Sequence, residues 1–139
     1  MIQLIRIRSI SLWAALGTVA LLSSACKSQD PAVLLTINGQ YRIPQDLDTL
    51  RVDIYAATSA DAGTGAEISS QTFTNLLNYS PNGFPFTVLL DDSGAMHDSI
   101  DVIVTGTVMG ATQPVGLGEV FVQLTSGTTV DAAVDLVDQ

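Results

Sequence analysis

The chain has 139 residues, with 14 acidic against 5 basic side chains, a formal net charge of −9, one cysteine and one histidine. A surface that acidic has no basic stripe to collect phosphates, which excludes nucleic acid as a partner, and a lone cysteine excludes an internal disulfide framework. The length suits one domain with its own core and does not suit two.

Arg6 and Arg8 form a short positive region, and from Ser9 to Cys26 the chain carries no charge while Ile10, Leu12, Trp13, Leu16, Val19, Leu21 and Leu22 supply hydrophobicity. That profile, with small residues at its exit, predicts a secretion leader whose apolar part is helical. An uncleaved membrane helix is the competing reading, but this run of 18 residues is barely long enough for the roughly 17–25 residues that a span needs. Ser23-Ser24-Ala25-Cys26 places the cysteine directly after small residues, and here the chain resembles bacterial lipoproteins. Ser24, Ala25 and Cys26 match their lipobox, whereas Ser23 stands where Leu is commonest. The resemblance implies cleavage before Cys26 and acylation of its sulfur and its new N-terminus, so that the protein holds to a membrane through lipid on Cys26. Each buried methylene adds about 0.8 kcal/mol, so two or more chains anchor stably. Lys27 replaces the aspartate that retains some lipoproteins in the inner membrane, which points to the outer membrane and leaves the leaflet open.

The expected organisation is a leader over 1–25, a lipidated cysteine and short polar tether over 26–31, and one domain over 32–139. Against the 14 acidic residues that domain and tether carry Lys27, Arg42 and Arg51, a net of −11. Such a charge favours solubility and repulsion from anionic lipid.

Ala32–Asn38 is an aliphatic and β-branched run between Pro31 and Gly39, and predicts the first strand of the domain. Leu50–Ala56 alternates, with Leu50, Val52, Ile54 and Ala56 on one face and Arg51, Asp53 and Tyr55 on the other. Thr58–Gly65 reads as a surface loop. Ile68–Thr74 is a weaker strand whose Ser69-Ser70-Gln71 suits an edge, and Asn78–Gly83 is dense in turn residues. Phe84–Leu90 would set Phe84, Phe86, Val88 and Leu90 inward. Ser99–Val108 sets Ile100, Val102 and Val104 inward, with Asp101 opposite and Gly106 marking a bulge or a close contact. Val115–Leu124 and Thr128–Val137 flank Thr125-Ser126-Gly127, a spacing that fits a hairpin.

Seven short strands without helical periodicity after Cys26 predict an all-β fold, a single antiparallel β-sandwich. Ile43–Val52, set between two strands soon after a lipobox, resembles the immunoglobulin-like or transthyretin-like domains that follow the anchor in many bacterial surface lipoproteins. If consecutive strands alternate in direction, the loops at 39–49, 75–83 and 109–114 fall at the end opposite the anchor.

Tyr41 and Tyr79 lie in the longest of these loops and are the candidate binding residues, because tyrosine offers contact area at low entropic cost. The same rings would equally serve to close the end of the core. Asp91, Asp92 and Asp98, near Ser93 and Asp101, form an acidic connection that reads as a solvated loop; the alternative is a calcium site, with calcium taking roughly 6–8 oxygens. His97 has no second nitrogen or thiolate beside it in sequence for zinc and nothing to orient it as a base. A glycosidase pair of Glu119 and Asp101 would need an aromatic-walled cleft that a small domain lacks the residues to build. The expectation is therefore a non-catalytic envelope lipoprotein, an interaction or structural module whose partner is an envelope or extracellular protein or glycan. A calcium-stabilised adhesion or carbohydrate-binding module is the alternative, and a small envelope hydrolase ranks third.

Overall fold

The computed structural model describes residues 30–58, 65–91, 96 and 98–139, together with the backbone of Ile5–Arg8. Nine strands and one short 3-10 turn are described: β1 (Ile5–Arg8), β2 (Ala32–Asn38), β3 (Thr49–Ala56), β4 (Glu67–Phe73), the turn Leu76–Asn78, β5 (Phe86–Asp91), β6 (Ser99–Thr107), β7 (Gly116–Gln123), β8 (Thr129–Asp135) and β9 (Val137–Asp138). They form two sheets, one in the order β1-β5-β2-β8 and the other β4-β3-β6-β7-β9. The apolar part of the leader, expected to be helical, falls outside the described residues; Ile5–Arg8, ahead of it, is a strand.

Period-two patterning sets the core. Val33, Leu35 and Ile37 of β2 and Phe86, Val88 and Leu90 of β5 point inward from one sheet, meeting Leu50, Val52 and Ile54 of β3 and Ile100, Val102 and Val104 of β6 from the other. Full burial of one such side chain contributes roughly 1.5–3 kcal/mol. Together these two layers form the expected β-sandwich. Strand β4, polar except at its buried end residue Phe73, lies at a sheet edge as its composition predicts.

The sandwich is mostly antiparallel, but β2 pairs with β8 in parallel, from Ala32 opposite Thr129 to Asn38 opposite Asp135. Strand β7 pairs instead with β6 and β9. The predicted hairpin at Thr125–Gly127 is therefore a turn that carries the chain from one sheet to the other. Alternation identified the buried aliphatic face of β3, β5 and β6; it carries no information on which neighbour supplies the hydrogen bonds. The resulting order also departs from the immunoglobulin arrangement, in which the first and second strands are neighbours in one sheet, whereas β2 and β3 lie in different sheets here.

Several inward positions come from outside the strands. Leu47, Leu76 and Met96 are fully buried, Leu47 and Leu76 plugging the end of the sandwich where their loops cross it. Gly106 keeps regular register opposite Leu50 and Gly116, so it is no bulge; a β-carbon there would stand 2.2 Å from Leu47 Cδ1, which makes it the close contact. Ala56 is exposed although its alternation places it inward, and β5 begins two residues later than predicted, leaving Phe84 half-buried ahead of it.

Candidate functional site

Strands β2, β4 and β6 end, and β3, β5 and β7 begin, at one end of the sandwich: Ile37 lies opposite Phe86, Leu50 opposite Phe73, and Thr49 opposite Thr107. The loops 39–48, 74–85 and 108–115 gather there, together with the C-terminal strand β9, which pairs with the start of β7. Ala32, the first residue of the expected domain, starts β2 at the other end. Pro31, just ahead of it, is buried.

Tyr41 stands between two of these loops and the C-terminal segment. Its hydroxyl donates to Asp138 Oδ1 at 2.8 Å, with Val115 O a more distant acceptor at 3.3 Å, and its ring meets Phe84 edge-on at 6.3 Å. Burial of the hydroxyl, then the hydrogen bond and charge of Asp138, push its pKa up to about 12. Tyr79 is held edge-on to Phe73 at 5.7 Å and to Phe86 at 6.5 Å. Both candidate tyrosines thus close the end of the core while remaining half-exposed.

The two do not share a cleft. Tyr41 lines an open cleft of about 1220 Å³ with Gln40, Asp46, Asp135, Asp138 and Gln139. Tyr79 lines a smaller one of about 430 Å³ with Pro81, Asn82, Phe84 and Pro85. The carboxylates of the larger cleft are individually partnered: Asp46 accepts from Arg42 Nε at 2.8 Å, Nη2 at 2.9 Å and backbone N at 3.0 Å, Asp135 from Asn38 Nδ2 at 2.9 Å, and Asp138 from Tyr41. The hydrogen bonds from Arg42 hold the Asp46 carboxyl at about 2, well below the usual range.

Among the described residues, the large apolar side chains that are most exposed are Leu77, Met109 and Val137, at 45%, 75% and 58%. All three lie at this same loop end, one in each of two loops and one in β9. Sequence alone did not single them out, because an isolated apolar residue in a loop has no periodicity to mark it.

Of the acidic connection, Asp91 ends β5 and Asp98 is exposed with φ 66°, a left-handed conformation that aspartate tolerates; Asp92 and His97 lie outside the described residues. Among the described residues, no three His, Cys, Asp or Glu side chains come together as a metal site. Asp101 and Glu119 sit diagonally on the outer face of the five-stranded sheet, Asp101 opposite Phe121 and Glu119 opposite Ile103, away from the loop-end clefts. Asp101 is 3% exposed, so that the outward position predicted for it is a covered one. Asp53, also predicted outward, is 6% exposed because Arg51 Nε at 2.8 Å and the Ser70 hydroxyl both donate to its Oδ1 across it. Cys26 lies outside the described residues, and among those described no helix is long and apolar enough to cross a membrane.

Compared with known proteins, the chain matches no family model and no curated sequence.

Proposed function

We propose that this protein is a lipid-anchored envelope module that uses its loop end to hold a protein or glycan partner and performs no catalysis. The observation that carries the reading is the position of Leu77, Met109 and Val137, exposed apolar side chains gathered at the end of the sandwich away from the tether. Exposed apolar surface is costly to keep and marks contact sites where it is grouped. The Tyr41 and Tyr79 rings, fixed by Phe84, Phe73 and Phe86, add contact area that loses little entropy on binding.

The anchor supplies orientation. From Cys26 to Pro31 the chain spans at most about 3.3–3.6 Å per residue, which keeps β2 within roughly 20 Å of the bilayer and turns the loop end outward. Of the two sandwich resemblances, the departure from the immunoglobulin strand order supports the transthyretin-like one. Lys27 supports delivery to the outer membrane.

The test is photo-crosslinking from Gln113, in the same loop as Met109, in intact cells, comparing wild type with a triple variant carrying Leu77→Ser, Met109→Ser and Val137→Ser. Loss of crosslinked species with an unchanged melting curve supports the reading. Undiminished crosslinking from the triple variant overturns it.

A further inference from the structure

Strand β5 has two hydrogen-bonding edges. One pairs with β2, and the other carries β1 in parallel, from Ile5 opposite Val88 to Arg8 opposite Asp91. Strand β1 lies within residues 1–25, the segment that the lipoprotein reading removes. Its departure would leave β5 outermost in its sheet, with a row of unpaired N–H and C=O groups.

Natural sheets defend such edges with charges, prolines or bulges. Strand β4, at the edge of the other sheet, is defended by Glu67, Ser69, Ser70 and Gln71, and β7 is covered in part by β9. Strand β5 reads Phe-Thr-Val-Leu-Leu-Asp, with neither charge nor proline before Asp91, and pairs with β2 without a register shift. Among the described residues, its outer edge has one cover, β1.

We propose that the outer edge of β5 is a strand-acceptor site, covered in cis by β1 in the full chain and open, once the leader is removed, to an extended segment of a protein partner. The release step rests on the lipoprotein reading; the acceptor edge itself does not. The occupant is a segment of alternating aliphatic and basic residues, as in Ile5-Arg6-Ile7-Arg8, because such a strand already pairs there and a domain of net charge −11 attracts it. Backbone hydrogen bonds would supply affinity, and alternate side chains selectivity. A second copy pairing β5 to β5 about a twofold would meet antiparallel, unlike the parallel strand seated here.

The probe is a synthetic peptide of residues 3–10, Gln-Leu-Ile-Arg-Ile-Arg-Ser-Ile, beside the same peptide with Ile7→Pro, which removes an amide donor from the strand. Three proteins are compared: the full chain made by cell-free translation without membranes, the full chain carrying Ile7→Pro, and the protein purified from envelopes in detergent, its N-terminus read by mass spectrometry. The expected result is binding to the Ile7→Pro chain and to the processed protein at least about tenfold tighter than to the unaltered full chain. Amide exchange should slow across 86–91, with no binding of the proline peptide. Equal binding to both full chains, or none to the Ile7→Pro chain with its melting curve intact, overturns the acceptor edge. An envelope protein that still begins at Met1 overturns the release step and the lipoprotein reading, while peptide binding to the Ile7→Pro chain decides the edge separately. Dimerisation of the processed protein without peptide binding assigns the edge to a second copy and overturns the partner strand.

Discussion

At the scale of single residues, Tyr41 illustrates how one side chain joins the loop end to the C-terminus. Its pKa of about 12 lies above the ordinary tyrosine value near 10, so the folded state keeps its proton longer than the unfolded chain does. The stabilisation is therefore complete below about pH 10 and is lost as the pH rises towards 12. Denaturation midpoints measured at pH 9 and pH 11.5 should fall more for wild type than for Tyr41→Phe, which lacks the ionisable group. Asp46 has the opposite sign: its depressed pKa of about 2 gives stabilisation above the ordinary carboxylate range that is lost as the pH falls through 2. An NMR titration should place the Asp46 midpoint near 2 and raise it towards the ordinary range in Arg42→Ala, which removes the guanidinium but keeps the backbone N–H donor. Tyr79→Ala, which removes a ring packed on Phe73 and Phe86, should cost about 1–3 kcal/mol in chemical denaturation.

At the scale of elements, two glycines set how closely the pieces approach. Gly118 faces inward on β7, where a β-carbon would stand 2.6 Å from Val134 Cγ2 and 2.7 Å from the Asp135 carbonyl oxygen. Backbone cannot swing aside as a side chain does. Gly118→Ala should therefore separate β7 from β8 and cost about 1–3 kcal/mol, read from the urea midpoint. Leu47, by contrast, fills space that Gly106 leaves free, and Leu47→Ala should open a cavity costing about 2–5 kcal/mol in the same measurement. The strands themselves were legible because each alternates: Ala32–Asn38 was predicted to the residue, and β4 was recognised as an edge from its serines and glutamine. The loop plugs Leu47, Leu76 and Met96 were not, since a single buried residue between turns leaves no periodic trace.

For the whole molecule, the anchor and the exposed end make separable predictions. Cys26→Ala should abolish incorporation of a palmitate analogue and release the protein from membranes into the soluble fraction. Retention of label at another position would remove the anchor reading. Under the binding reading, thermal melts in calcium and in chelator should coincide. The calcium alternative, built on Asp91, Asp92 and Asp98, instead requires a stabilisation of about 2.7 kcal/mol at 100 times the dissociation constant. The candidate tyrosines were found in sequence through their place in long loops, but only the structure places Tyr41 in one cleft and Tyr79, with Phe84 and Phe86, in another.

The sequence by itself determined the all-β class, the inward faces of β3, β5 and β6, the polar edge at β4 and the common end shared by three loops. Each of these follows from local alternation, turn chemistry and strand direction, which neighbouring residues encode. Only the tertiary structure decided that β8 joins β2 in parallel rather than β7 in a hairpin, that Asp53 and Asp101 are covered, and that Leu77, Met109 and Val137 share one exposed end. These depend on partners distant in the chain, and period-two patterning fixes which way a side chain points without naming what it meets.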